Sequence, residues 1–207
     1  GWGVVAPARA PVVRSSAAPV VLQRMSGGAV YASPVMFEEE NSALAALRES
    51  LAASETPVAE LHGGMRLRTG RDVRIEVLHP PQRGVLGSDN ANSIVLAVEY
   101  AGKRLLLPGD LETPGLQDVM AEEPWDCDVL LAPHHGSRSS DPPGFAAWSR
   151  PEHVVISGGD SFDAAAAVEA YRDRGAHVVH TATAGAVRYE LSGETITVST
   201  FRAMPTF

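Results

Sequence analysis

The sequence predicts a mixed α/β fold in which a sheet is covered by helices. Short apolar runs, several with a period of two, recur from residue 29 to the end of the chain. Between them stand stretches whose apolar residues fall three and four apart. Clusters of Gly, Pro, Asn, Asp and Ser separate the two kinds of segment. Neither an all-helical nor an all-β protein reads this way.

Taken in order, Val30 to Ser33 reads as a short strand. Residues 39–53 read as a helix, because Leu44, Leu47 and Leu51 share a face and Glu38 to Glu40 lie near the dipole end that favours acids. Pro57 to Leu61 is a short strand. Val73, Ile75 and Val77 alternate with Arg74 and Glu76, a half-buried strand closing at Leu78-His79-Pro80. A polar loop over 81–91 follows. Ser93 to Tyr100 and Lys103 to Leu107 are strands joined by Ala101-Gly102, a hairpin signal. Next come a helix over 114–122, a buried strand Val129 to Ala132, a loop over 133–144, a short helix near Phe145 and a strand Val154 to Ser157. A helix over 163–174 stops at Gly175. Strands over 177–181, 186–191 and 195–201 finish the chain, and no internal repeat is visible.

Composition narrows the function classes. The chain has 207 residues, 44% of them hydrophobic, enough for a packed core. The single cysteine, Cys127, excludes an internal disulfide framework and a multi-cysteine zinc site. A net charge of −8 disfavours a passive nucleic-acid binder, though not an enzyme whose bound ions supply positive charge locally. Residues 1–37 carry three arginines and no acid; all 25 acids follow. Residues 1–28 show no period and contain Pro7, Pro11 and Pro19, so they read as an irregular or disordered segment ahead of a domain over 29–207. No apolar run approaches the ~18 residues of a membrane span, and prolines and arginines interrupt any signal peptide, so the chain as given reads as soluble.

Three strand ends carry candidate chemistry. Leu105-Leu106-Leu107-Pro108-Gly109-Asp110 delivers a carboxylate to a sheet edge, where it is either a turn or cap residue or a ligand able to bridge two metal ions. Pro133-His134-His135-Gly136-Ser137 ends a buried strand on paired imidazoles. These read either as a surface loop or as a metal ligand beside a proton donor, since adjacent side chains diverge. Ser137 and the neighbouring amides could then hold a phosphate or support the ligands. Asn92 precedes a strand, as a turn residue or with its amide directed to the same site. His79 reads as a strand-end histidine, and so does His180, unless it replaces a ligand.

These pieces resemble a known family. Val77-Leu78-His79-Pro80, Asn92-Ser93-Ile94-Val95-Leu96, Leu107-Pro108-Gly109-Asp110, His134-His135-Gly136-Ser137-Arg138-Ser139 and Val155-Ile156-Ser157-Gly158-Gly159 are similar, in order and spacing, to the second half of the metallo-β-lactamase-like domain of ComEC-type competence proteins. The resemblance covers most of the chain after residue 29. It implies an αββα sandwich, incomplete in its N-terminal half, with a zinc or manganese site at one edge. It further implies hydrolysis of phosphodiesters, DNA included, by a metal-bound hydroxide during DNA uptake. Asp110 would be the bridging carboxylate, His134 or His135 a ligand or close partner, and Asn92 and Ser137 supports. The implied partners are DNA, the remainder of the lactamase-like domain, a membrane channel in the parent protein and, through an uncovered sheet face, a second copy of the chain. Parents of this type sit in the cytoplasmic membrane.

Two departures shape the expectation. The family's leading histidine- and aspartate-rich metal motif is absent, for no histidine precedes His62. The His-Pro that often follows Ser-Gly-Gly is replaced by Asp160-Ser161-Phe162-Asp163. The chain therefore reads as an inactive fragment, or as a gene model whose first 28 residues come from a wrong frame or a wrong start. A composition with 17 basic residues of which only Lys103 is lysine supports GC-rich coding. The alternatives are a non-catalytic binding module and a small-molecule lactonase or phosphodiesterase.

Overall fold

The structure, a computed structural model, describes residues 29–38, 42–69, 72–193 and 195–202. The expectation for residues 1–28, and that for Glu39 and Glu40 at a helix start, lie outside the described residues.

The centre is a seven-stranded mixed sheet formed by β3 (Arg66–Thr69), β4 (Val73–His79), β5 (Val95–Tyr100), β6 (Lys103–Leu107), β7 (Val129–Leu131), β8 (His153–Ile156) and β9 (His177–His180), neighbours in that order. β3 to β6 pair antiparallel, and β6 to β9 pair parallel. The change falls at β6 for a local reason. Ala101 and Gly102 both take positive φ, 51° and 78°, which lets β5 return directly as β6. Each parallel step then needs a crossover, and these contain α2 (Gly115–Ala121), α3 (Pro142–Ser149) and α4 (Phe162–Arg172).

The alternation of the strands splits the core in two. Val95, Leu106, Leu130, Val154, Ile156 and Val178 point to one face and pack with Leu116 and Val119 of α2, Phe145 and Trp148 of α3, and Ala167 and Tyr171 of α4. On the other face Ile75, Val77 and Leu96 pack with Leu61 and with Tyr31 of β1 (Val30–Ala32). β1 pairs parallel with β2 (Val58–Glu60), and Val30 packs in turn against Leu47 and Leu51 of α1 (Ser42–Ala53). The layers therefore run helix, strand, strand, helix, the order expected of an αββα sandwich, with a two-stranded second sheet. A separate hairpin, β10 (Val187–Ser192) with β11 (Thr195–Thr200), closes the described chain.

Several details differ from the sequence reading. β3 escaped it because two of its four residues are arginines, which suits an edge strand that must resist further pairing. Asn90–Asn92 forms a 3-10 turn, so the strand begins at Val95 and not at Ser93. After β9 the chain makes one helical turn, α5 (Thr181–Ala184). The sheet face expected to be bare is half-covered: Leu105, Leu131 and Val155 are of intermediate exposure.

Candidate functional site

The carboxyl ends of the parallel strands carry the residues singled out above, the usual place for a site on such a sheet. Beyond β6 the chain turns at Gly109, with φ 63°. Leu111 is fully buried in the core, so the carboxylates on either side of it, Asp110 and Glu112, emerge together toward the end of β7. Beyond β7 the 3-10 turn Pro133–Gly136 holds three successive left-handed residues: His134 at φ 46°, His135 at φ 56° and Gly136 at φ 77°. Left-handed backbone costs a non-glycine residue roughly 1–2 kcal/mol, and strain of this kind concentrates where geometry serves function. Two bonds hold the turn. The His134 amide donates to the Gly109 carbonyl at 3.0 Å, and the Ser140 hydroxyl donates to the Pro133 carbonyl at 3.1 Å. At Gly136 a Cβ would stand 2.9 Å from that of Ala167, so the turn also needs glycine for space.

Two carboxylate–imidazole pairs result. His135 Nε2 lies 3.4 Å from Asp110 Oδ1. His134 Nδ1 lies 3.3 Å from Glu112 Oε2 and 3.1 Å from the Ser139 hydroxyl. The rings diverge, with centroids 6.5 Å apart and an interplanar angle of 63°. His135 Nδ1 is 2.7 Å from the Ser157 carbonyl, which can only accept, so Nδ1 carries the proton. In the neutral ring the Nε2 lone pair then faces a carboxylate oxygen, and a cation between the two, proton or metal, satisfies both.

The supporting residues act indirectly. Ser137 meets the Ser139 hydroxyl at 3.1 Å, and Ser139 meets His134, so Ser137 steadies the imidazole through one intermediary. Asn92 spends its amide elsewhere: its oxygen accepts from Val85 N at 2.7 Å and its nitrogen donates to Val85 O at 2.9 Å and Ser88 O at 3.3 Å. Its part is to shape the loop over 81–91, whose Ser88 hydroxyl donates to Glu112 Oε1. Glu112 is the participant that the sequence reading missed; its signal was the spacing of two residues from Asp110 across a core leucine. His79 is buried, with Nε2 2.8 Å from the Ala91 carbonyl, and burial holds its pKa below the ordinary histidine value. It braces the same loop and is no ligand. His180 pairs loosely with Asp160, Nδ1 to Oδ1 3.7 Å, and joins neither pair.

The donor types suit zinc or manganese, but the number does not. Among the described residues no group of three or more His, Cys, Asp and Glu side chains stands close enough to hold an ion. Zinc ordinarily takes at least three protein ligands. Among the described residues the pairs are therefore an open arrangement and not a complete metal centre.

Over 90 residues the chain is 38% identical to ComE operon protein 3 of Bacillus subtilis, a stretch covering 43% of this chain and 12% of that protein. Over 125 residues it is 32% identical to competence protein ComA of Neisseria gonorrhoeae, covering 58% and 18%. The sequence is similar to ComEC-type competence proteins. A third relative of that type, recombination protein 2 of Haemophilus influenzae, is 34% identical over 94 residues, 44% of this chain and 12% of the other. The chain thus spans less than a fifth of the length of these curated relatives. No protein-family model matches it. A solved structure described as a putative metal-dependent hydrolase, from Parabacteroides distasonis, aligns at TM-score 0.45 and 16% identity over 74% of this chain and 76% of the other. Among the described residues no helix is long and apolar enough to cross a membrane.

Proposed function

We propose that this chain serves DNA uptake as the phosphodiester-facing part of a lactamase-like domain, with Asp110, His134 and His135 at its centre and Glu112, Asn92 and Ser137 supporting them. The observation that carries the reading is the approach of His135 Nε2 to Asp110 Oδ1, 3.4 Å between residues from two different strand ends. The competence names of the sequence relatives supply the biological setting.

The chain's own residues do definable work in this reading. The Ser157 carbonyl fixes the His135 tautomer, so that Nε2 and Asp110 present their lone pairs together. Glu112 and Ser139 hold the proton of His134 at Nδ1, leaving its Nε2 as the basic atom. A divalent ion, when bound, polarises a phosphoryl oxygen of the substrate. Because each pair offers two donors, the described residues bind an ion weakly and do not complete a catalyst.

The test is a cleavage and binding assay with a labelled single-stranded oligonucleotide and with bis(p-nitrophenyl) phosphate, in Zn2+ and in Mn2+, for the wild type and Asp110→Asn. The reading expects ion-dependent binding of the oligonucleotide, lost in Asp110→Asn, with no more turnover than that variant shows. Robust turnover abolished by the substitution would contradict the incomplete site. Turnover of small esters without any affinity for the oligonucleotide would replace the reading with a small-molecule hydrolase. A non-catalytic binding module is the second reading, favoured by the lack of a three-donor group among the described residues; it expects oligonucleotide or partner binding indifferent to both the ion and Asp110.

A further inference from the structure

Leu86 is 96% exposed, more than any other large apolar side chain described. Single exposed leucines are ordinary, so exposure alone argues nothing. What distinguishes this one is how firmly its neighbours are held. Val85 is gripped through both its amide and its carbonyl by the buried Asn92. Ser88 donates to Glu112, and its oxygen also accepts from the Ala91 amide at 3.1 Å. Gly84 and Gly87 take φ of 66° and 151°, and a Cβ at either would collide, with Val35 and Asn92 at the first and with Pro114 at the second. The loop is thus held on both sides of the leucine. The leucine is presented outward, two residues from a serine bonded to the carboxylate that faces His134. Arg83, exposed on the same loop, takes part in no ion pair among the described residues.

We infer that the loop over 81–91 is a nucleic-acid contact beside the two carboxylate–imidazole pairs, Leu86 packing against an unstacked base and Arg83 meeting a backbone phosphate. The inference rests on the phosphodiester reading and adds the element that seats the strand. An apolar tip next to a single cation matches the two faces a single strand offers, an exposed base and a phosphate. With a chain charge of −8, affinity depends on few local contacts, so removing one is measurable.

The experiment is fluorescence anisotropy, in the presence of Mn2+, of a labelled thymidine oligonucleotide of about 12 nucleotides, within the usual range for single-strand sites. It is run as a salt series on the wild type, Leu86→Ser, Leu86→Met and Arg83→Gln, with thermal melts to verify folding. Expected are a loss of roughly fivefold for Leu86→Ser, the order set by burying about 40 Å2 of apolar surface, and retention in Leu86→Met. Arg83→Gln weakens binding and lowers the salt slope by about 0.7, the share of one single-strand phosphate. If the wild type binds and the loop variants bind equally well, the inference is overturned while the phosphodiester reading survives. If the wild type binds no oligonucleotide, both fall. The same proteins are tested on anionic phospholipid vesicles: loss of vesicle binding in Leu86→Ser with oligonucleotide binding untouched overturns the inference in favour of a membrane contact.

Discussion

The Nε2 atom of His135 faces Oδ1 of Asp110 at 3.4 Å, while the opposite nitrogen of the same ring is tied to the Ser157 carbonyl at 2.7 Å. Three strand ends are thereby linked through one imidazole. The arrangement requires left-handed backbone at both histidines, and the rest of the turn is built to hold it.

Gly136 is the first place to test that construction. Gly136→Ala brings a methyl group 2.9 Å from the Ala167 Cβ and imposes a side chain at φ 77°. A loss of about 2–3 kcal/mol is expected, combining backbone strain with a clash against α4. Urea unfolding monitored by circular dichroism measures it. Wild-type stability in the variant would show that the turn tolerates other conformations.

The hairpin between β5 and β6 is suboptimal in the opposite sense. Ala101 sits at φ 51°, is exposed, and gains nothing from its methyl group. Ala101→Asn, better suited to left-handed backbone, is expected to stabilise the protein by about 0.5–1 kcal/mol. A fall in melting temperature would contradict the turn geometry.

Acid sensitivity follows from one buried and one half-buried histidine. Burial lowers the pKa of His79 below the ordinary 6.5. Burial, and then the neighbouring His177, lowers that of His153, whose ring stands 5.4 Å from His177 and 5.7 Å from Tyr189. The unfolded chain takes up these protons more readily than the folded one, so their stabilising contribution is present above pH 6.5 and is lost as pH falls through the folded values. Melting temperature is expected to decline below pH 6.5, and His79→Gln, which keeps a donor for the Ala91 carbonyl, reduces the slope. A flat profile between pH 7 and 5 would rule the histidines out as the cause.

Cys127 is buried, its Sγ 3.5 Å from the Ser149 carbonyl, and burial pushes its thiol up to about 12. It is expected to resist thiol reagents in the native protein and to react fully in denaturant. Fast native-state labelling would mean that the contact between the start of β7 and α3 opens readily.

Much of this was legible in the sequence because local pattern and tertiary role agree. Val73, Ile75 and Val77 alternate and lie on the sheet; Ala101-Gly102 signals a hairpin and makes one; Gly109-Asp110 and His134-His135 end strands that turn out to be neighbours. β3 was hidden by its arginines, since an edge strand with polar side chains lacks an apolar period. Glu112 was hidden because its partner, His134, lies 22 residues away and only the pairing of β6 with β7 joins them. Asn92 reads from sequence as a turn residue before a strand or as an amide directed to the site, and sequence does not tell that Val85 and Ser88 claim that amide.

Asp110 and His135 are proposed to form together a cation-binding pair. The most direct measurement is a titration of the 15N-labelled protein with Zn2+, following the histidine ring nitrogens by NMR in the wild type and in Asp110→Asn. A shift at His135 Nε2 that saturates in the wild type and is weakened at least tenfold by the substitution is the predicted result. Ring nitrogens of His135 unmoved by millimolar Zn2+, or moved equally in both proteins, would contradict it.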